Sequence, residues 1–111
     1  MAAFTPSTGP GNTTAVIAGA ANPTVANVAV VAADTEYNYT IPAGTKKFWL
    51  RVRNLDGVAA YLKVYYVSGD TVYATVNPGG IYVEQDLTTS ALTIYFKCNY
   101  PNRVVEIVSW V

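Results

Sequence analysis

The chain has 111 residues, 51% of them apolar and 13% charged, with seven basic residues balancing seven acidic ones, one cysteine and no histidine. This length suits one domain with a single core, and the apolar share excludes disorder over most of the chain. Balanced charge removes the attraction behind non-specific nucleic-acid binding, while the lack of histidine removes Ser-His and Cys-His pairs and the commonest zinc ligand; we expect no nucleic-acid partner, no enzyme, no metal and no other cofactor.

Residues 1–24 differ from the rest. They carry no charge, include Pro6, Gly9, Pro10 and Gly11, and hold a small-residue run from Ala15 to Ala21. Such a stretch cannot bury enough surface to fold alone, so it reads as an extended or flexible N-terminal arm. It lacks the basic start and the longer apolar run of a secretory signal. The Ala15 to Ala21 run is too short to cross a bilayer, so no membrane association is expected.

Residues 25–111 read as one β-domain of about eight short strands. The predicted strands run from Val25 to Val31, Glu36 to Ile41, Lys47 to Asn54, Val58 to Val67, Thr71 to Val76, Ile81 to Gln85, Ala91 to Cys98 and Val104 to Val111. Turn residues separate them: Pro42-Ala43-Gly44, Asp56-Gly57, Ser68-Gly69-Asp70, Asn77-Pro78-Gly79-Gly80 and Asn99-Tyr100-Pro101-Asn102. The Asp56-Gly57 and Ser68-Gly69-Asp70 signals predict hairpins, and hence a meander of antiparallel strands from Lys47 to Val76. No window shows a sustained helical period. A single flat sheet of this size would leave its apolar face wet, so an all-β antiparallel sandwich is expected, with a jelly roll as one form of it.

Alternation along the strands separates two faces. In the third strand Phe48, Leu50 and Val52 alternate with Trp49, Arg51 and Arg53, giving an apolar face and a largely cationic one. The expected inward set is Phe48, Leu50, Val52, Leu62, Val64, Leu92, Ile94, Phe96, Val105 and Ile107. Cys98 belongs with them, since free cysteine is among the most buried residue types. On the last strand Glu106 shares a face with Val104, Val108 and Trp110, which assigns that face to the exterior. Tyr61, Tyr65 and Val67 likewise share a face with Lys63. Both outward faces are rich in rings and valine, which suits contact with a second chain. Tyr61, Tyr65, Val67, Val104, Val108 and Trp110 are therefore the candidate interface residues.

Other candidate chemistry is sparse. Glu84 and Asp86 stand two apart on a predicted strand, roughly 7 Å from each other on one face, yet two acids at a strand end are ordinarily just solvated. Gly79-Gly80 follows a proline and leads into a strand, which marks a turn and not a phosphate loop. Asp34, Glu36, Asp56 and Asp70 lack the spacing of a calcium loop. The N-x-T sites at Asn12 and Asn38 match a glycosylation pattern that arises often in Thr-rich chains.

The segment Ile41-Pro42-Ala43-Gly44-Thr45-Lys46-Lys47-Phe48 resembles the opening of small β-sandwich virion proteins of tailed bacteriophages. Gly80-Ile81-Tyr82-Val83-Glu84, Leu92-Thr93-Ile94-Tyr95-Phe96 and the ending Val105-Glu106-Ile107-Val108-Ser109-Trp110 are similar to later strands of the same kind of protein. The resemblance covers about residues 41–111 and implies a capsid decoration or cement protein. Such a protein is made in the host cytoplasm, sits on the capsid surface of the virion, binds the major capsid protein and forms a homo-oligomer, in the first place a trimer. The alternative is a carbohydrate- or receptor-binding module of a tail fibre, with Trp49, Tyr73, Tyr82, Asp70 and Asn77 as its ligand contacts. A tail or adaptor component is also compatible with the resemblance.

Overall fold

The computed structural model describes residues 23–88 and 90–111. The N-terminal segment singled out in the sequence therefore lies outside the described residues, apart from Pro23 and Thr24. Eight strands follow: β1 (Thr24–Val30), β2 (Tyr37–Ile41), β3 (Lys47–Val52), β4 (Leu62–Tyr65), β5 (Ala74–Val76), β6 (Tyr82–Gln85), β7 (Leu92–Cys98) and β8 (Arg103–Trp110).

Two four-stranded antiparallel sheets form, ordered β1-β8-β3-β6 and β2-β7-β4-β5. The first strand pairs with the last, the second with the one before it, and so inward to β4 with β5. One long antiparallel ribbon is thus folded over itself, which is the strand order of a jelly roll. The expected all-β antiparallel sandwich is what the chain forms.

Turn chemistry explains where the ribbon bends. In Asn77-Pro78-Gly79-Gly80 the Gly80 amide donates to the Asn77 carbonyl at 2.8 Å, and Gly79 takes a φ of 76° that a side chain resists. Proline then glycine at the two central positions is the type II pattern. The turn at Pro42 shares the glycine but not the proline position: Ala43 and Gly44 are its central residues, with Gly44 at a φ of 85° and buried Thr45 donating from both its amide and its hydroxyl to the Pro42 carbonyl.

The expected meander does not form. β3 lies between β8 and β6, so both its edges are filled and β4 cannot join it. Asp56-Gly57 instead helps carry the chain across to the other sheet. There Asp56 caps the Val58 amide through Oδ1 at 3.2 Å and pairs with Arg103 through Oδ2 at 2.7 Å. Of the two predicted hairpins, only the one through Ser68-Gly69-Asp70 joins paired strands, β4 and β5. β4 is also shorter than predicted: the Ala60 amide turns back to the Val58 carbonyl, and the Tyr61 amide is taken by the Asn99 side chain.

The core lies between the sheets. Phe48, Leu50, Val52, Leu62, Val64, Ile94, Phe96, Val105 and Ile107 are buried as expected, and Leu92 packs half-buried against them. Val30, Ile41, Ala60, Val76 and Cys98 complete the buried cluster. Burying side chains of this size contributes about 1.5–3 kcal/mol each, which makes this interior the main source of stability.

Candidate functional site

The two outer faces differ in chemistry. On the β1-β8-β3-β6 sheet, register aligns Val25 with Val108, Val108 with Trp49, and Trp49 with Val83. One apolar row therefore crosses all four strands. Its ends are open, with Val25 67% and Val83 48% exposed. Trp110 stands beside the row, opposite Lys47, and Val104 lies further along β8 opposite Ala29. Val104, Val108 and Trp110 thus share this outward face, each half-buried.

The cations on this face are occupied. Glu106 accepts from Arg51 Nε at 2.9 Å and from Arg53 Nε at 2.7 Å. The two guanidiniums, Arg53 first, hold the Glu106 carboxyl below its ordinary value. Arg51 also lies 5.5 Å from the Trp49 ring centre, and Lys47 Nζ lies 5.0 Å from that of Trp110. The largely cationic strand read from the sequence is therefore a surface whose cations have partners, one shared carboxylate and two indoles, at the flanks of an apolar stripe. Trp49, named in the sequence only as a saccharide contact, is the residue that strand-by-strand reading missed for the interface set. Its alternation placed it outward, but only the register aligns it with the valines.

The outer face of the other sheet is polar. Asn38, Thr40, Thr93, Lys63, Lys97 and Thr75 alternate with the core residues there, and the Thr40 and Thr93 hydroxyls meet at 3.1 Å. Tyr61, Tyr65 and Val67 do not make one contact face with Val104, Val108 and Trp110, because the two sets belong to opposite sheets. Tyr65 is also buried, only 3% exposed, so it cannot serve as a surface contact. Its ring stacks on Tyr95, and its hydroxyl donates to Glu36 at 2.8 Å. Glu36 also accepts from the Ser68 hydroxyl at 2.7 Å and the Gly69 amide at 2.8 Å, which clamps the β4–β5 turn. These donors, led by the Gly69 amide, lower the Glu36 pKa, whereas burial and then Glu36 raise that of Tyr65.

A cleft of about 360 Å³ opens where the edge strands β5 and β6 leave the two sheets apart. Tyr65, Tyr66, Val67, Asp70, Val72, Tyr73 and Tyr82 are among its walls. The structure thus gathers Tyr65 and Val67 from the interface set with Tyr73, Tyr82 and Asp70 from the saccharide set. Trp49 lies on the outer face of the first sheet, and Asn77 sits in the β5–β6 turn. Within the cleft the Tyr66 and Tyr82 hydroxyls meet at 2.8 Å, and Tyr82 donates to Glu84 Oε2 at 2.7 Å. Burial, reinforced by Tyr66 and Glu84, pushes the Tyr82 hydroxyl pKa up.

Glu84 and Asp86 do not share a strand face. β6 ends at Gln85, and Asp86 turns into left-handed backbone with a φ of 58°. Glu84 instead stands opposite inward-facing Phe48. Among the described residues no three Asp, Glu or Cys side chains gather as a metal site would require.

No protein-family model matches the chain, and no curated protein does. Among solved structures it is similar to a de novo designed double-stranded β-helix determined by solution NMR. The similarity is 18% identity over 82% of this chain and 100% of that one, with a TM-score of 0.46.

Proposed function

We propose that the chain is a structural virion protein of the capsid decoration or cement type, which self-associates through the outer face of the β1-β8-β3-β6 sheet. The observation that carries this reading is the row Val25–Val108–Trp49–Val83. It is apolar from edge to edge, and the cations beside it already have partners in Glu106 and the two indoles, which lowers the cost of covering it with a second copy. The most exposed members lie at its two ends. In a threefold ring part of this outer face is covered by the next copy, and the contacts close.

The phage resemblance supports the choice of lattice. A protein that binds assembled capsid and not free subunits stabilises the shell by mass action. In this reading the uncharged N-terminal segment supplies the lattice contact, and three copies in one ring multiply that contact through effective concentration. The reading assigns the chain no catalytic residue, metal or cofactor. The test is to add purified protein to capsids of a tailed phage that lack a decoration protein. Saturable binding with increased heat tolerance supports the reading; a monomer that neither binds nor protects removes it.

A further inference from the structure

We infer that the cleft between the β5 and β6 edges, walled by Tyr66, Tyr73, Tyr82 and Asp70, is a binding site for a neutral saccharide. It opens at the sandwich edge, away from the sheet face assigned to self-association, so the two readings stand or fall separately.

The ring surfaces come first. Tyr73 lines the cleft, is 47% exposed, and has Lys63 Nζ 4.9 Å from its ring centre, so ring surface remains open to a ligand. Tyr82 rests on Phe48 with ring centres 6.3 Å apart, so its position is set by the core. An aromatic face carries partial negative charge and favours the slightly positive C–H groups of a pyranose ring.

Hydrogen-bond direction selects the ligand further. Tyr82 has one hydroxyl proton, and its 2.7 Å bond delivers that proton to Glu84. In the 2.8 Å contact between the two phenols, Tyr66 must then be the donor. A hydroxyl that has given its proton offers only lone pairs. Tyr66 therefore presents an acceptor to the cleft. Asp70 uses Oδ1 to accept the Val72 amide at 3.1 Å, which leaves Oδ2 as a second acceptor. A site with apolar rings and converging acceptors fits a ligand that brings several hydroxyl donors on an apolar frame. The carboxylates of Asp70 and Glu84 disfavour anionic glycans such as sialylated or sulfated chains.

The experiment is an NMR titration of the full chain, labelled with ¹⁵N, against maltotriose, mannotriose and chitotriose, with N-acetyl-lysine methylamide as a cationic comparison. We expect saturable shifts from at least one trisaccharide, confined to amides between Tyr66 and Tyr73 and at Tyr82. Tyr66→Phe keeps the ring and removes the acceptor, and should weaken binding about fivefold, the value of one ordinary hydrogen bond. Tyr73→Ala should weaken it further, and Leu55→Ser, on an exposed loop elsewhere, should leave it unchanged. The inference is overturned if no trisaccharide gives saturable shifts, if Tyr66→Phe and Tyr73→Ala both fold and bind as the parent does, or if the lysine compound alone binds.

Discussion

Trp49 stands directly opposite Val108 on neighbouring strands of one outer sheet face, and Val25 and Val83 continue that pair to both edges. The relationship exists only in the folded register, because β1, β3, β6 and β8 are scattered along the chain. A monomer gains nothing from an exposed stripe that spans a whole sheet, whereas a ring gains buried area from it.

Charging the ends of the stripe should separate assembly from folding. Val25→Lys combined with Val83→Lys places cations at two largely exposed sites, so thermal unfolding should change by no more than about 0.5 kcal/mol for each substitution. Self-association should weaken at least tenfold, read by sedimentation velocity across a concentration series.

Acid should destabilise the domain through its clamped carboxylates. Glu36 and Glu106 titrate below their ordinary value of 4.5 in the folded chain. The unfolded chain therefore takes up protons first as pH falls. Their stabilisation is complete above that ordinary value and is lost as pH drops through the lower folded pKa values. Glu36→Gln and Glu106→Gln should each lower the melting temperature at pH 7 by a few degrees and flatten the fall below pH 4.5. Melting curves from pH 7 to 3 check both slope and sign.

Tyr65 and Tyr61 should respond differently to loss of the hydroxyl. Tyr65→Phe removes a buried donor to Glu36, one of the three that hold this carboxylate at the β4–β5 turn, lowering the melting temperature by several degrees. Tyr61→Phe should leave it unchanged. Equal effects would contradict the placement of Tyr65 inside the fold.

Phe96→Ala should cost about 3–5 kcal/mol, because the ring is fully buried between the sheets and the cavity cannot collapse. Leu92→Ala, at the half-buried end of the same strand, should cost less than half as much. Urea denaturation of the two variants gives the comparison.

The local devices of this fold were legible in the sequence. Period-two alternation separated Phe48, Leu50 and Val52 from Trp49, Arg51 and Arg53, and the position of Glu106 chose the outer face of β8 correctly. Pro42-Ala43-Gly44 and the Pro78-Gly79 pair marked the turns at Gly44 and Gly79. Long-range choices were not legible. Asp56-Gly57 reads locally as a hairpin, but β3 fills both edges with β6 and β8, and no local signal reports that. Tyr65 alternates outward from Leu62 and Val64, yet Glu36 and Tyr95 bury it from other parts of the chain. The cleft was half legible. Tyr73, Tyr82 and Asp70 were candidate ligand contacts, but Tyr66 becomes a polar wall only when β6 brings Tyr82 to it.

Whether another copy covers the outer sheet face is read most directly by light scattering of the purified full chain after size-exclusion chromatography. A trimer closed through this face has a mass three times the 11.9 kDa of one chain, falling to one chain mass in the Val25→Lys, Val83→Lys double variant. A parent protein that stays at one chain mass across the accessible concentration range would contradict it.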